Sequence, residues 1–194
     1  MRTATQERTT GETNVSVSLN LDGTGKREIA TGLGFFDHML DLFAKHGHFD
    51  LAVKACGDTD VDSHHTVEDV GIVLGRAFAQ AAGDMQGITR YAASLLPMDE
   101  ALVQAVVDVS GRPYLHWDVD LPPAMLGQMD AQCAEEFFRA FAMNANLTLH
   151  VSLAYGSNLH HIVEAAFKAV ARALADAVRL DARVVGVPST KGVL

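Results

Sequence analysis

One unusual segment occurs twice in this sequence, and the repeat limits the folds open to the chain. "SHHTVEDVGIVLGRA" at 63–77 and "LHHIVEAAFKAVARA" at 159–173 align without a gap at an offset of 96 in a chain of 194 residues. His64/His160, His65/His161, Val67/Val163, Glu68/Glu164, Arg76/Arg172 and Ala77/Ala173 match. The surroundings repeat as well. Val15, Val17, Leu19 and Leu21 alternate with polar residues, the period of a half-buried strand. "DGTG" (22–25) signals a turn, and "KREIAT" (26–31) is expected to return as a hairpin partner. Residues 34–47 read as a helix with Phe36, Leu40 and Phe43 on one side and Gly47 at its end. A strand at 49–55 follows, then a helix from Asp62 or Ser63 to about Ala82.

The second half has the same order. Residues 101–109 alternate, "SGRP" (110–113) turns, and 114–121 alternate back. Residues 130–145 are helical in character and 147–153 form a strand. The helix at 158–179 carries Val163, Phe167, Val170, Leu174 and Val178 on one face. The expected fold class is therefore α+β: an internal duplication of a β-β-α-β-α unit, with helices on one face of each mostly antiparallel sheet. The join falls near 92–98, and "LPPAMLG" (121–127) is the most loop-like segment.

The repeated segments place chemistry-bearing residues at helical spacing. Residues four apart on a helix sit one turn above each other, and residues three apart nearly so. His64 or His65 with Glu68, and His160 or His161 with Glu164, can each aim at one point. Adjacent histidines differ by about 100° around the axis, so one helix can serve two ions. Imidazole combined with carboxylate suits manganese or iron rather than structural zinc, and no CxxC supplies thiolates. His38 in "FFDHML" and His150 in "LTLHVS" are further candidates. His46, His48 and His116 lack a partner pattern.

Charge and composition exclude several classes. A net charge of −9 argues against a nucleic-acid binder, which needs a basic stripe for phosphates. An anionic substrate must meet a local cluster, and Arg90, Arg112 and the closing "PSTKGVL" with Ser189 and Lys191 can supply one. That run is not a Walker A loop. Cys56 and Cys133 cannot build a disulfide framework, so a reduced, cytoplasmic setting is expected. No apolar run reaches 18 residues, and the first residues lack the apolar core of a signal peptide. Glu12, ahead of the first alternating stretch, is by pattern an exposed acid.

"GFFDHML", "DSHHTVEDVGIVLG", "PMDEAL", "DVSGRPYL", "NLHHIVEAAFKAVARAL" and "PSTKGVL" together resemble the imidazoleglycerol-phosphate dehydratase family of histidine biosynthesis, from about Arg8 to Leu194. The resemblance implies two repeats like domain 2 of ribosomal protein S5, about 8–92 and 93–187. They form a single catalytic unit with a phosphate-binding tail at 188–194. It implies two Mn2+ ions per active site. One takes His64, His150, His160 and Glu164; the other takes His38, His65, Glu68 and His161. Arg90, Arg112, Ser189 and Lys191 match the family's phosphate ligands, and Glu12 a glutamate used in proton transfer. Leu42 departs from the pattern, since many relatives carry glutamine there. The implied reaction removes water from D-erythro-imidazole-glycerol phosphate to give imidazole acetol phosphate, through a metal-stabilised imidazolate, with Glu12 and Glu164 as acid–base candidates. Relatives assemble from trimers into a 24-subunit shell, so a homo-oligomer is implied.

Overall fold

Alternation builds the first sheet as expected. The computed structural model describes residues 1–192, so the last two positions of the 188–194 tail lie outside the described residues. In order, the first half is β1 (Thr3–Thr9), β2 (Thr13–Asn20), β3 (Arg27–Ala30), α1 (Gly34–Gly47), β4 (Asp50–Gly57) and α2 (His64–Ala82). The second is β5 (Tyr91–Met98), β6 (Ala101–Asp108), β7 (Tyr114–Asp118), β8 (Met125–Leu126), β9 (Met129–Asp130), α3 (Cys133–Ala145), β10 (Thr148–Tyr155) and α4 (Leu159–Val178). The sheet orders are β1-β2-β4-β3 and β5-β6-β10-β7, and β8-β9 is a small hairpin inserted in the second half alone.

The structure corrects the expected hairpins. β3 does not pair with β2; it pairs parallel to β4, with Ile29 opposite Val53. β7 likewise pairs parallel to β10 rather than with β6. The place beside β2 goes to β4, whose buried Leu51 and Val53 meet Leu19 and Val17. β3 has no fully buried residue and sits at the edge. The Asp50 carboxylate accepts the backbone N–H groups of Thr24 (2.8 Å) and Lys26 (3.0 Å), which draws the connection across the end of β4. β1 and β5 are leading strands that the sequence reading did not include. Each is an edge strand with at most one buried residue, so alternation is weak there.

The helices pair crosswise between the halves: α1 packs on α4, and α2 on α3. α2 covers β1 and β2, and α4 covers β5 and β6. Phe137 is the hub, with ring centroids 5.4 Å from Phe36 and 5.0 Å from Phe167. Phe141 joins Phe43 (6.0 Å) and Phe78 (5.6 Å), so all four helices meet in one aromatic cluster. Two glycines let α2 and α3 approach closely. A Cβ on Gly71 would lie 2.7 Å from the Phe137 carbonyl oxygen, and one on Gly75 2.6 Å from that of Phe141. Leu42 packs against this core. Among the described residues, no helix is long and apolar enough to cross a membrane.

Candidate functional site

The histidine pairs sit in the first turns of α2 and α4, where short polar residues fix the helix starts. Asn158 caps α4, its side-chain oxygen accepting from the N–H of His160 (3.0 Å) and His161 (3.5 Å). Asp62 does the same for the His64 N–H at 2.7 Å. Such caps satisfy backbone donors that the helix leaves unpaired.

Because α1 lies on α4, His38 reaches the α4 cluster. Donor atoms of His38, His160 and Glu164 all lie within 4.8 Å of one another. Glu164 Oε2 is 3.2 Å from His160 Nε2 and 3.4 Å from His38 Nε2. Within one chain His38 stands with His160 and Glu164, whereas the resemblance sets it with His65, Glu68 and His161. Phe35 packs edge-on against the His160 ring at 5.1 Å. Glu164 is only 5% exposed. Burial opposes its ionisation, yet its hydrogen bond and charge pairing with Lys168, helped by His160 and His38, hold the carboxyl below the usual range. Two imidazoles and a buried, ionised carboxylate around one point suit a first-row divalent cation.

At α2, His64 Nε2 lies 3.9 Å from Glu68 Oε2. His65 Nδ1 is 3.0 Å from Asp58, and its Nε2 faces Glu12 at 3.9 Å. The matching His161 has Nδ1 at 2.7 Å from Glu100 and Nε2 at 3.8 Å from Asp99. Hydrogen bonds to Asp58 and Glu100 raise the pKa of His65 and His161 respectively. Hydrogen bonds from His161 and from the Asn158 backbone bring Glu100 down to about 2, so it is ionised at neutral pH.

A third group of site residues lies elsewhere. His150 projects from the exposed face of β10, with its ring 5.3 Å from that of His116 and 5.8 Å from Tyr114. It lies five positions before the β10 end nearer α4, about 16 Å along the strand. Beside it is a cavity of about 640 Å³ lined by Arg90, Arg112, Ser189, Thr190 and Lys191, with Tyr91 bordering both. Arg90 is 7% exposed and takes a left-handed backbone angle, φ 75°. Its Nε donates to Asp108 at 2.8 Å and one terminal nitrogen to the Pro188 carbonyl at 2.8 Å, which pins the tail. Arg112 also leans on Asp108, at 3.5 Å. A guanidinium has five N–H donors, so both arginines keep some for an anion. The four expected phosphate ligands thus share one basic cavity, despite lying up to 101 positions apart in sequence.

A family model described as imidazoleglycerol-phosphate dehydratase matches residues 31–174, well over half of the chain. The chain belongs to the imidazoleglycerol-phosphate dehydratase family. It is a hydro-lyase of histidine biosynthesis. The imidazoleglycerol-phosphate dehydratase of Pelobacter propionicus is 61% identical over 193 residues, covering 100% of this chain and 99% of the relative. That of Acetivibrio thermocellus is 62% identical over 187 residues, with 96% of each covered. The crystal structure of the Staphylococcus aureus imidazoleglycerol-phosphate dehydratase superposes with a TM-score of 0.84 at 40% identity, covering 92% of this chain and 99% of that one. The Pyrococcus furiosus structure gives 0.83 at 38%, covering 97% and 99%.

Four charged residues beside the histidine clusters were not picked out from sequence: Asp58, Asp99, Glu100 and Lys168. Glu100 had an available signal. β2 begins at Thr13 and β6 at Ala101, an offset of 88 that places Glu12 over Glu100. The β8-β9 hairpin changes the offset further along, so the helix alignment at 96 hides this match.

Proposed function

We propose that the chain dehydrates D-erythro-imidazole-glycerol phosphate to imidazole acetol phosphate at a site holding two Mn2+ ions. The observation that carries this reading is the His38–His160–Glu164 cluster together with an anion cavity, in a chain matched end to end by this dehydratase family. His38, His64, His65, Glu68, His150, His160, His161 and Glu164 would hold the ions. When bound, the metals supply Lewis-acid polarisation of the substrate's imidazole ring. Glu12 moves the proton on the second carbon from that ring, next to the ring-attached carbon that carries the leaving hydroxyl. It is more than half exposed and faces the reactive edge of His65, whereas Glu164 is committed to Lys168 through Oε1. Loss of that proton, and of hydroxide from the ring-attached carbon to leave as water, gives an enol that tautomerises to the ketone. Arg90, Arg112, Ser189 and Lys191 hold the phosphate and so align the reacting carbons, remote binding that helps the chemical step.

His150 and the anion cavity lie on the exposed sheet face, away from the helix starts. A second copy of the chain, bringing its own sheet face to these helix starts, would complete each site. That supports a homo-oligomer, as in a 24-subunit shell, with two repeats and the tail acting as one catalytic unit. The test is to supply substrate and Mn2+ and follow both ketone and free phosphate. Ketone without phosphate release is expected, abolished by chelation and in His160→Ala. Phosphate release, or turnover that survives chelation, defeats the reading.

A further inference from the structure

The duplication places two glutamates in corresponding turns, yet they have parted in role. Glu12 precedes β2 and Glu100 precedes β6. Glu100 reaches the start of α4, where Oε2 lies 2.7 Å from His161 Nδ1. Its Oε1 accepts the backbone N–H of Asn158 at 2.7 Å and that of Ser157 at 3.2 Å. In the first repeat the same ring position, His65 Nδ1, is taken by Asp58 at 3.0 Å, and Glu12 is left facing Nε2.

An ionised carboxylate only accepts hydrogen bonds, so the ring nitrogen facing it carries the hydrogen. A neutral imidazole then keeps its lone pair on the other nitrogen. The geometry points to Glu100 and Asp58 as positioning residues that fix His161 and His65 as Nε2 donors to the metals, with Asp58 releasing Glu12 for proton transfer. This rests on the dimetal reading above. Carboxylates in this position orient the ring and raise its basicity toward a metal.

Glu100→Gln separates this role from a merely structural one. Two backbone donors compete for the single amide oxygen side, so the carboxamide keeps its oxygen toward Ser157 and Asn158. Its NH2 group then faces His161 Nδ1, which must accept, and the hydrogen moves to Nε2, where it blocks the metal. At His65 no backbone donor fixes which way a carboxamide would turn, so there Asp58→Ala removes the acceptor outright. Metal-free protein is titrated with Mn2+ alone, free Mn2+ is read by electron paramagnetic resonance, and melting of the metal-free protein is followed beside it. Each variant is expected to raise the Mn2+ Kd by roughly 10–100-fold with the metal-free melting temperature unchanged. A Kd within twofold of the parent in either folded variant overturns the assignment. So does a weakening matched by an equal loss of metal-free stability. A parent protein that binds no Mn2+ instead defeats the dimetal reading itself.

Discussion

In the metal-free protein, the imidazoles of His65 and His161 hold a proton more tightly than a free histidine does, because each faces a carboxylate at hydrogen-bond distance. The sign of the pH effect follows. The folded pKa is raised, so the ion pairs add stability fully below the unfolded value of about 6.5 and lose it as pH rises through the folded value. A cation needs the same rings deprotonated. The rise in melting temperature caused by Mn2+ should therefore be small below about pH 6.5 and grow toward pH 8. Melting curves with and without Mn2+ across that range check it, and a pH-independent shift contradicts it. His64, His65, Glu68, His160, His161 and Glu164 were legible as candidates because the duplication repeats them. Asp58 and Lys168 were not, because a carboxylate in a loop and a lysine one turn along a helix look like ordinary surface residues until the fold buries or aims them.

Among the elements, α1, α2, α3 and α4 were readable from their sequence pattern, and the start of α2 from Asp62 and Ser63. The parallel pairings of β3 and β7 were not. Strand alternation tells which face is buried but not which neighbour a strand takes, and here Asp50 holds the β2–β3 connection over β4. Gly47 was read as the end of α1, and α1 does end there; helix ends often take a left-handed residue. The structure gives that conformation to His48 (φ 57°), and Gly47 is needed because a Cβ there would lie 2.4 Å from the Phe49 ring. The α2–α3 contact offers a test. Gly71→Ala gains roughly 1 kcal/mol of helix propensity, but the added methyl meets a backbone carbonyl that cannot swing aside, a strain of about 1–3 kcal/mol. The net expectation is a loss of up to about 2 kcal/mol in chemical denaturation, and a more stable variant would show that the helices yield.

Across the whole molecule, the site residues fall into three groups: the α2 start, the α4 start with His38, and the sheet face with His150 and the basic cavity. If neighbouring copies complete the site, His150→Ala and His160→Ala damage different contributions to it. Each alone should be inactive, while mixed and reassembled chains should recover part of the activity, since some sites then receive both intact histidines. No recovery in verified mixed assemblies would place each site within one chain. The crosswise helix pairing bears on how the chain is made. The amino-terminal half leaves the ribosome with Phe36 and Phe78 lacking Phe137 and Phe141, and with Phe43 covered by Phe49 alone, because their other aromatic partners belong to the half still being translated. This shared core therefore closes only once the last helices are made, and until then its apolar surface is open to aggregation.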